Sequence, residues 1–229
     1  KVGQALPINE PKKETLAFTL PGETPLSQPH WLSGPGSKAW SCLPESPSPF
    51  RLRARLALPE GTFEVMVPVQ FRFRDPVLGE RYQPLAVVPP VLVNLVESVQ
   101  VFDTPAAHVV RLKAVAGATA PSGRVRVQVP NGWKAEPSEQ AFTFAKAGEE
   151  RELTFLLTPP SEPSSGELRL DVDTGSGFVQ ARGVQRVDYP HIPLQTLLPE
   201  AKVRLERFDL KHNGRRIGYV MGAGDDIPQ

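Results

Sequence analysis

The sequence predicts an all-β protein: two tandem immunoglobulin-like antiparallel β-sandwiches followed by a short β-hairpin tail. Three observations carry that prediction. Apolar residues recur with a period of two, the strand period, through most of the chain. Turn-forming clusters such as Pro121-Ser122-Gly123, Pro130-Asn131-Gly132 and Gly175-Ser176-Gly177 punctuate these runs, at the spacing of about 8–12 residues that short sandwich strands require. No stretch of ten or more residues before 195 shows a helical period.

The strands justify themselves in chain order. Leu16, Phe18 and Leu20 alternate with Thr15, Ala17 and Thr19. Phe50, Leu52, Ala54 and Leu56 alternate with Arg51, Arg53 and Arg55. A longer alternation runs through Phe63, Val65, Val67, Val69, Phe71 and Phe73, with Pro68 inside it. A proline donates no ladder hydrogen bond, so that strand lies at an edge or breaks there. One greasy and one wet face mark a sheet packed on one side. After Pro89-Pro90 a second set begins: 91–95, 110–114, 125–129, Phe142 with Phe144, 153–157 and 168–172. A last strand spans about 178–187, with Gly183 as a bulge.

These runs divide the chain into a linker at 1–14, a first sandwich at 15–90, a second at 91–190, and a tail at 191–229. The seam is the Pro-flanked segment 83–90, because Pro89 and Pro90 extend no ladder. The first sandwich carries a Pro-rich insertion at 22–49 with six prolines; a loop of that length in a compact domain is functional or poorly ordered. In the tail, Asn213-Gly214 signals a hairpin, and the strand through Ile217, Tyr219 and Met221 runs into Gly222-Ala223-Gly224-Asp225-Asp226. A strand ending in such a turn resembles the start of a βα unit, as in a truncated α/β domain.

Composition narrows the function classes. Lys+Arg of 26 against Asp+Glu of 25 leaves a net charge of +1, so no charge excess points to nucleic acid. No apolar run approaches the 18–20 residues of a membrane span, and residues 1–20 lack the pattern of a signal peptide. One cysteine, Cys42, permits neither an intrachain disulfide nor a cysteine-held metal.

Motifs for catalysis are missing as well. His30, His108, His191 and His212 share no metal-ligand spacing, and no Gly-x-Ser-x-Gly elbow occurs. Cys42 sits in the insertion without a nearby histidine to lower its pKa. Two carboxylates directly after the 222–224 turn would repel a phosphate, which weighs against phosphate binding there. No catalytic, cofactor-binding or metal-binding residue is assigned, and no cofactor. What remains is aromatic: Trp31 and Trp40, with His30 beside the first, lie in the insertion and offer stacking surfaces for a sugar ring. The plainer reading has Trp31 folding back to plug the open end of the sandwich. Trp133, after a Pro-Asn-Gly turn, anchors that turn against its own core.

Two resemblances add to this. Pro130, Gly132, Trp133, Gly148-Glu149 and the run 153–160 resemble the α-galactosidase-associated sandwich module. The ordered segments 26–32, 82–91, 188–193 and 217–226 resemble the region downstream of the catalytic domain in large bacterial PIG-L (LmbE-like) deacetylases. That second resemblance implies a zinc-dependent N-acetylglucosaminyl deacetylase-like domain elsewhere in the polypeptide, and an extracytoplasmic location. The family's histidine-proline-aspartate-aspartate run and distant His-x-x-His are absent from this sequence, so no catalytic or metal residue carries over.

The expected function is therefore a non-catalytic accessory or spacer region of such a multidomain protein. Its partners would be neighbouring domains of the same polypeptide and a glycan, with no nucleic acid and no membrane span. The alternative is a stand-alone carbohydrate-binding module using Trp31 and Trp40. A third class, an enzyme with a site near Asp225 and Asp226, rests on the glycine-rich turn alone.

Overall fold

A computed structural model describes residues 10–11, 13–32, 43, 46–117, 119, 121–211 and 218–223. Within them the protein is all-β, with one 3₁₀ turn at His30–Leu32 and no α-helix.

An immunoglobulin-like sandwich occupies residues 91–207. Its smaller sheet has the strand order β5 (Val91–Leu95), β7 (His108–Ala116), β11 (Glu150–Thr158), β9 (Lys134–Glu136). Its larger sheet runs β10 (Glu139–Thr143), β8 (Ser122–Gln128), β12 (Ser164–Asp173), β16 (Lys202–Arg207), β6 (Val99–Phe102), with β13 (Val179–Gln180) on β12. Every pairing is antiparallel except β16 with β6. The period-two pattern now has a physical object. Val110, Leu112 and Ala114 of β7, and Leu153, Phe155 and Leu157 of β11, face Val125 and Val127 of β8 and Leu168, Leu170 and Val172 of β12 in one core. Trp133 is buried in it, edge-on to Phe102 at 5.1 Å, and its indole N–H donates to Ser164 Oγ at 3.3 Å. The turn anchor expected of Trp133 is what forms.

Residues 51–84 behave differently. β1 (Arg51–Leu58) pairs with β2 (Gly61–Pro68), and β3 (Gln70–Asp75) pairs with β4 (Gly79–Pro84), each as a separate two-stranded sheet. Their residues are exposed almost throughout. The strands were legible, but among the described residues no second sheet stacks on either hairpin, so the facing layers of a sandwich are not formed at 15–90. Pro68 breaks the long alternation as expected: β2 ends there and β3 starts in a different sheet. Leu16, Phe18 and Leu20 form no strand and lie exposed, although Phe18 rests 5.5 Å from Phe50. Without a neighbouring edge to pair with, alternation alone does not make a strand.

Two further departures lie in the sandwich. The segment expected as one strand at 178–187 splits into β13, on the larger sheet, and β14 (Gln185–Val187), which pairs with β15 (Gln195–Leu197). Between them the chain crosses from one sheet to the other: Ala181 N–H donates to Leu170 O, and Val93 N–H donates to Arg182 O. Gly183 makes the crossing possible, because a Cβ there would lie 2.7 Å from Asn94 Oδ1. The second departure is β16, which follows the expected boundary at 190 yet sits inside the larger sheet. Val203 and Leu205 supply core that the sequence reading had assigned to a tail. The hairpin turn at 213–214 and the carboxylates at 225–226 lie outside the described residues.

Candidate functional site

Two of the segments flagged by resemblance, 26–32 and 82–91, meet at one edge of the sandwich. Ser27 and Val87 bond reciprocally: Ser27 N–H donates to Val87 O at 2.9 Å, and Val87 N–H donates to Ser27 Oγ at 2.8 Å. One residue on, the Gln28 carboxamide straddles the peptide groups of Leu198. Its Nε2 donates to Leu198 O at 2.8 Å, and Leu198 N–H donates to its Oε1 at 3.1 Å. A carboxamide presents a donor and an acceptor side by side, so it pairs with a backbone much as a strand would. Arg182 Nη1 donates to the same Leu198 carbonyl at 3.0 Å. Leu198 itself is fully buried and the bonds it makes are partly buried, so its peptide groups depend on these partners.

His30 and Trp31 follow from this anchor. His30 is 8 % exposed and its backbone N–H donates to Ser46 Oγ at 3.0 Å. Its Nδ1 is buried with no partner among the described residues. The Trp31 ring meets it edge-on at 5.0 Å and remains 57 % exposed. The expectation that Trp31 plugs the sandwich is therefore corrected: the 3₁₀ turn directs His30 inward, which leaves its neighbour in solvent. Trp40 and Cys42 lie outside the described residues. Ser27 and Gln28 were flagged only as part of the segment 26–32, and nothing in the sequence pointed to Arg182 or Leu198.

Beside this anchor, where the chain crosses between sheets, lies a cleft of about 370 Å³ bounded by 93–98, 183–185 and 199–202. Glu97, Gln185, Glu200 and Lys202 border it, with no aromatic side chain. Lys202 is committed to Glu167 at 3.2 Å and Glu200 at 3.5 Å.

The outer face of the larger sheet carries a charge ladder. Asp171, nearly buried, accepts from Arg126 Nη2 at 2.8 Å and from Gln128. The Arg126 guanidinium lies 3.9 Å over the Phe178 ring, a cation–π contact. Asp173 accepts the N–H groups of Gly175 and Gly177 at 2.8 and 3.0 Å, and Arg124 lies at 3.3 Å. Those N–H groups, then Arg124, hold its carboxyl below the ordinary aspartate value. Gly175 and Gly177 both have positive φ, which lets both amides turn onto one carboxylate. The carboxylates of the ladder are satisfied locally, whereas the buried Nε of Arg126 has no partner among the described residues. Among the described residues no group of three His, Cys, Asp or Glu could hold a metal ion, and no helix is long and apolar enough to cross a membrane.

Comparison with known proteins agrees with the sandwich. Residues 104–173 match the family model of the NPCBM-associated, NEW3 domain of alpha-galactosidase. That span runs from just before β7 to the end of β12 and contains Pro130, Gly132, Trp133 and Gly148-Glu149, the residues that carried the resemblance. The match lies within the sandwich and covers 70 of the 229 residues. No curated protein matches it. Among solved structures, WR4, a C. elegans MSP family member, is similar over 51 % of this chain and 98 % of its own, at 8 % identity and a TM-score of 0.31.

Proposed function

We propose that this chain is a non-catalytic accessory segment of a multidomain glycan-processing protein, of the PIG-L deacetylase type, in which the sandwich acts as a rigid spacer. The Gln28–Leu198 pairing carries this reading. It ties residues 26–32 to the sandwich 170 positions away in sequence through two partly buried bonds to a fully buried residue. A spacer conveys geometry only if the segment entering it is fixed, and this anchor fixes it. The family match over 104–173 supports the accessory role. On the same reading the chain is extracytoplasmic, its units are bounded near 90 and 207, and its partners are the neighbouring domains.

Two measurements test it. The complete open reading frame is expected to encode a deacetylase domain bearing the zinc signature, and a frame without one refutes the assignment to that type. Gln28→Ala is expected to speed proteolytic cleavage within 20–32 at least tenfold while leaving the sandwich folded. Unchanged cleavage would remove the spacer reading.

A second reading draws on Trp31, whose indole stays in solvent beside a buried histidine. Such a surface suits the apolar face of a sugar ring. Calorimetric titration with N-acetylglucosamine oligomers, chitin and peptidoglycan would support it if binding vanished in Trp31→Ala. Absence of binding to all three leaves the spacer alone.

A further inference from the structure

The turn that joins β3 to β4 leaves two aliphatic side chains in water: Val77 is 89 % exposed and Leu78 63 % exposed. Exposed turns are ordinarily built from glycine and small polar residues. Here the one carboxylate of the turn is spent on its backbone. Asp75 Oδ1 accepts the N–H groups of Val77 and of Leu78, both at 2.8 Å, and Pro76 has no N–H to satisfy. Every backbone donor from 76 to 78 is closed within the turn.

Cations flank this tip on both faces of the ribbon. The register sets Arg74 opposite Glu80 and Phe73 opposite Arg81. Neighbouring pairs point to opposite faces, so Arg74 and Arg81 project on different sides. Both are exposed, and among the described residues neither is in an ion pair; Arg81 only adds to the field at Asp75. The nearby carboxylates are committed elsewhere: Asp75 to the two amides, and Glu80 to Arg72 at 3.5 Å and to the Tyr82 hydroxyl.

We propose that this tip is a lipid-docking loop and that its partner is the surface of an anionic bilayer. Three features select that partner. The first is depth. Arg74 stands three residues behind Val77, and Arg81 three beyond Leu78, a separation of at most about 10 Å. Interfacial segments bury their apolar side to about 5–10 Å, which puts both guanidinium groups at the level of the phosphates. Phe73, cross-strand from Arg81, reaches the same level, where aromatic rings are favoured. The second is charge: a bilayer surrounds an inserted tip with phosphates on every side, and cations on both faces of the ribbon answer that arrangement. The third is the backbone, whose donors must find partners within the protein when they leave water.

Co-sedimentation of the full chain with vesicles of phosphatidylglycerol and phosphatidylcholine in equal parts tests this. Wild type is expected to partition onto these vesicles and to bind phosphatidylcholine alone at least fivefold more weakly. Val77→Ser with Leu78→Ser is expected to lower the partition at least tenfold, and Arg81→Ala about fivefold. All three side chains are exposed, and unchanged near-ultraviolet dichroism shows that the sandwich stays folded. Failure of wild type to bind the mixed vesicles overturns the proposal and leaves the tip to a protein groove. Binding that survives the double serine variant overturns it as well, because another surface would then hold the lipid. Either result leaves the accessory reading untouched.

Discussion

The sandwich at 91–207 and the hairpins at 51–84 are written in the same pattern and end in opposite states. Leu112 and Leu153 alternate with charged or polar neighbours, and so do Leu52 and Phe63. The first pair is buried; the second is exposed. Period two therefore dictates a strand with two unlike faces, and it does not dictate what covers the apolar one. Cover comes from strands far away in sequence: β12 and β16 reach across to close the core over β7 and β11. The hairpins have only their adjacent strand.

The sharpest way to expose that difference is to remove the same side chain from each. Phe155 and Phe63 are both strand phenylalanines, but Phe155 is buried in the shared core. Phe155→Ala is expected to cost about 3–5 kcal/mol. Phe63→Ala should stay within about 0.5 kcal/mol, since an exposed side chain loses little. Chemical denaturation of both variants checks this. Equal losses would mean the hairpin is covered in solution.

Next in size is the anchor between the regions. Gln28→Ala leaves the buried Leu198 N–H without an acceptor, a cost of about 1–3 kcal/mol. Leu198 O keeps Arg182 as its donor, so the loss falls on one peptide group. Gln28→Glu restores the acceptor but removes the donor, and should recover part of the loss in the same denaturation measurement.

Arg207 gives a pair of changes with opposite signs. It occupies a core-facing position of β16, its side chain is 2 % exposed, and its Nε and Nη1 have no partner among the described residues. Only Nη2 is engaged, by Ser161 O at 3.2 Å and Asp209 at 2.7 Å. Replacing a buried, under-paired ion by an apolar residue of similar volume is commonly neutral or stabilising, so Arg207→Met should gain up to about 2 kcal/mol. Asp209→Ala strands the cation and should lose about 1 kcal/mol, held down by the exposure of the aspartate. Parallel thermal melts decide the matter; a loss in Arg207→Met would show that the guanidinium is structurally required.

Much of this was legible in the residues, and the boundary of legibility is physical. The longer strands β5, β7, β8, β11 and β12 announced themselves because each has a clean alternation, and Trp133 followed from its Pro-Asn-Gly turn; β6 and β9, of four and three residues, are too short for a period to show and went unpredicted. Three features did not. The parallel β16–β6 pair joins strands about a hundred residues apart, which local periodicity cannot encode. The sheet crossing at 181–184 depends on Gly183 meeting Asn94, an approach invisible until the fold is assembled. Gln28 looked like one polar residue in a proline-rich insertion, and its role is set by the distant peptide it meets. Trp31 was misjudged for a related reason: sequence placed an aromatic near an open end, but the 3₁₀ turn decides which neighbour faces inward.

The smallest effect expected is electrostatic and separates the two regions by pH. In the sandwich, the amides of Gly175 and Gly177, then Arg124, lower the Asp173 pKa below its ordinary 3.8. A carboxyl whose folded value is depressed contributes stability that is fully present above the unfolded value and fades as pH falls through the folded one. The contribution is therefore intact at neutral pH and is lost below about pH 4. Asp75, in the β3–β4 turn, accepts the N–H groups of Leu78 and Val77, both at 2.8 Å, and is depressed in the same sense by the same cause. The Asp173 side chain is 16 % exposed and Asp75 is half-buried, so solvent still screens both carboxylates and the effects are modest. Asp173→Asn should flatten the acid limb of the sandwich's unfolding, followed between pH 5 and 2 by Trp133 fluorescence in a Trp31→Phe, Trp40→Phe background. Asp75→Asn should leave that limb unchanged, because its turn lies outside the unit that Trp133 reports. A matching flattening in Asp75→Asn would show that hairpins and sandwich unfold as one cooperative body.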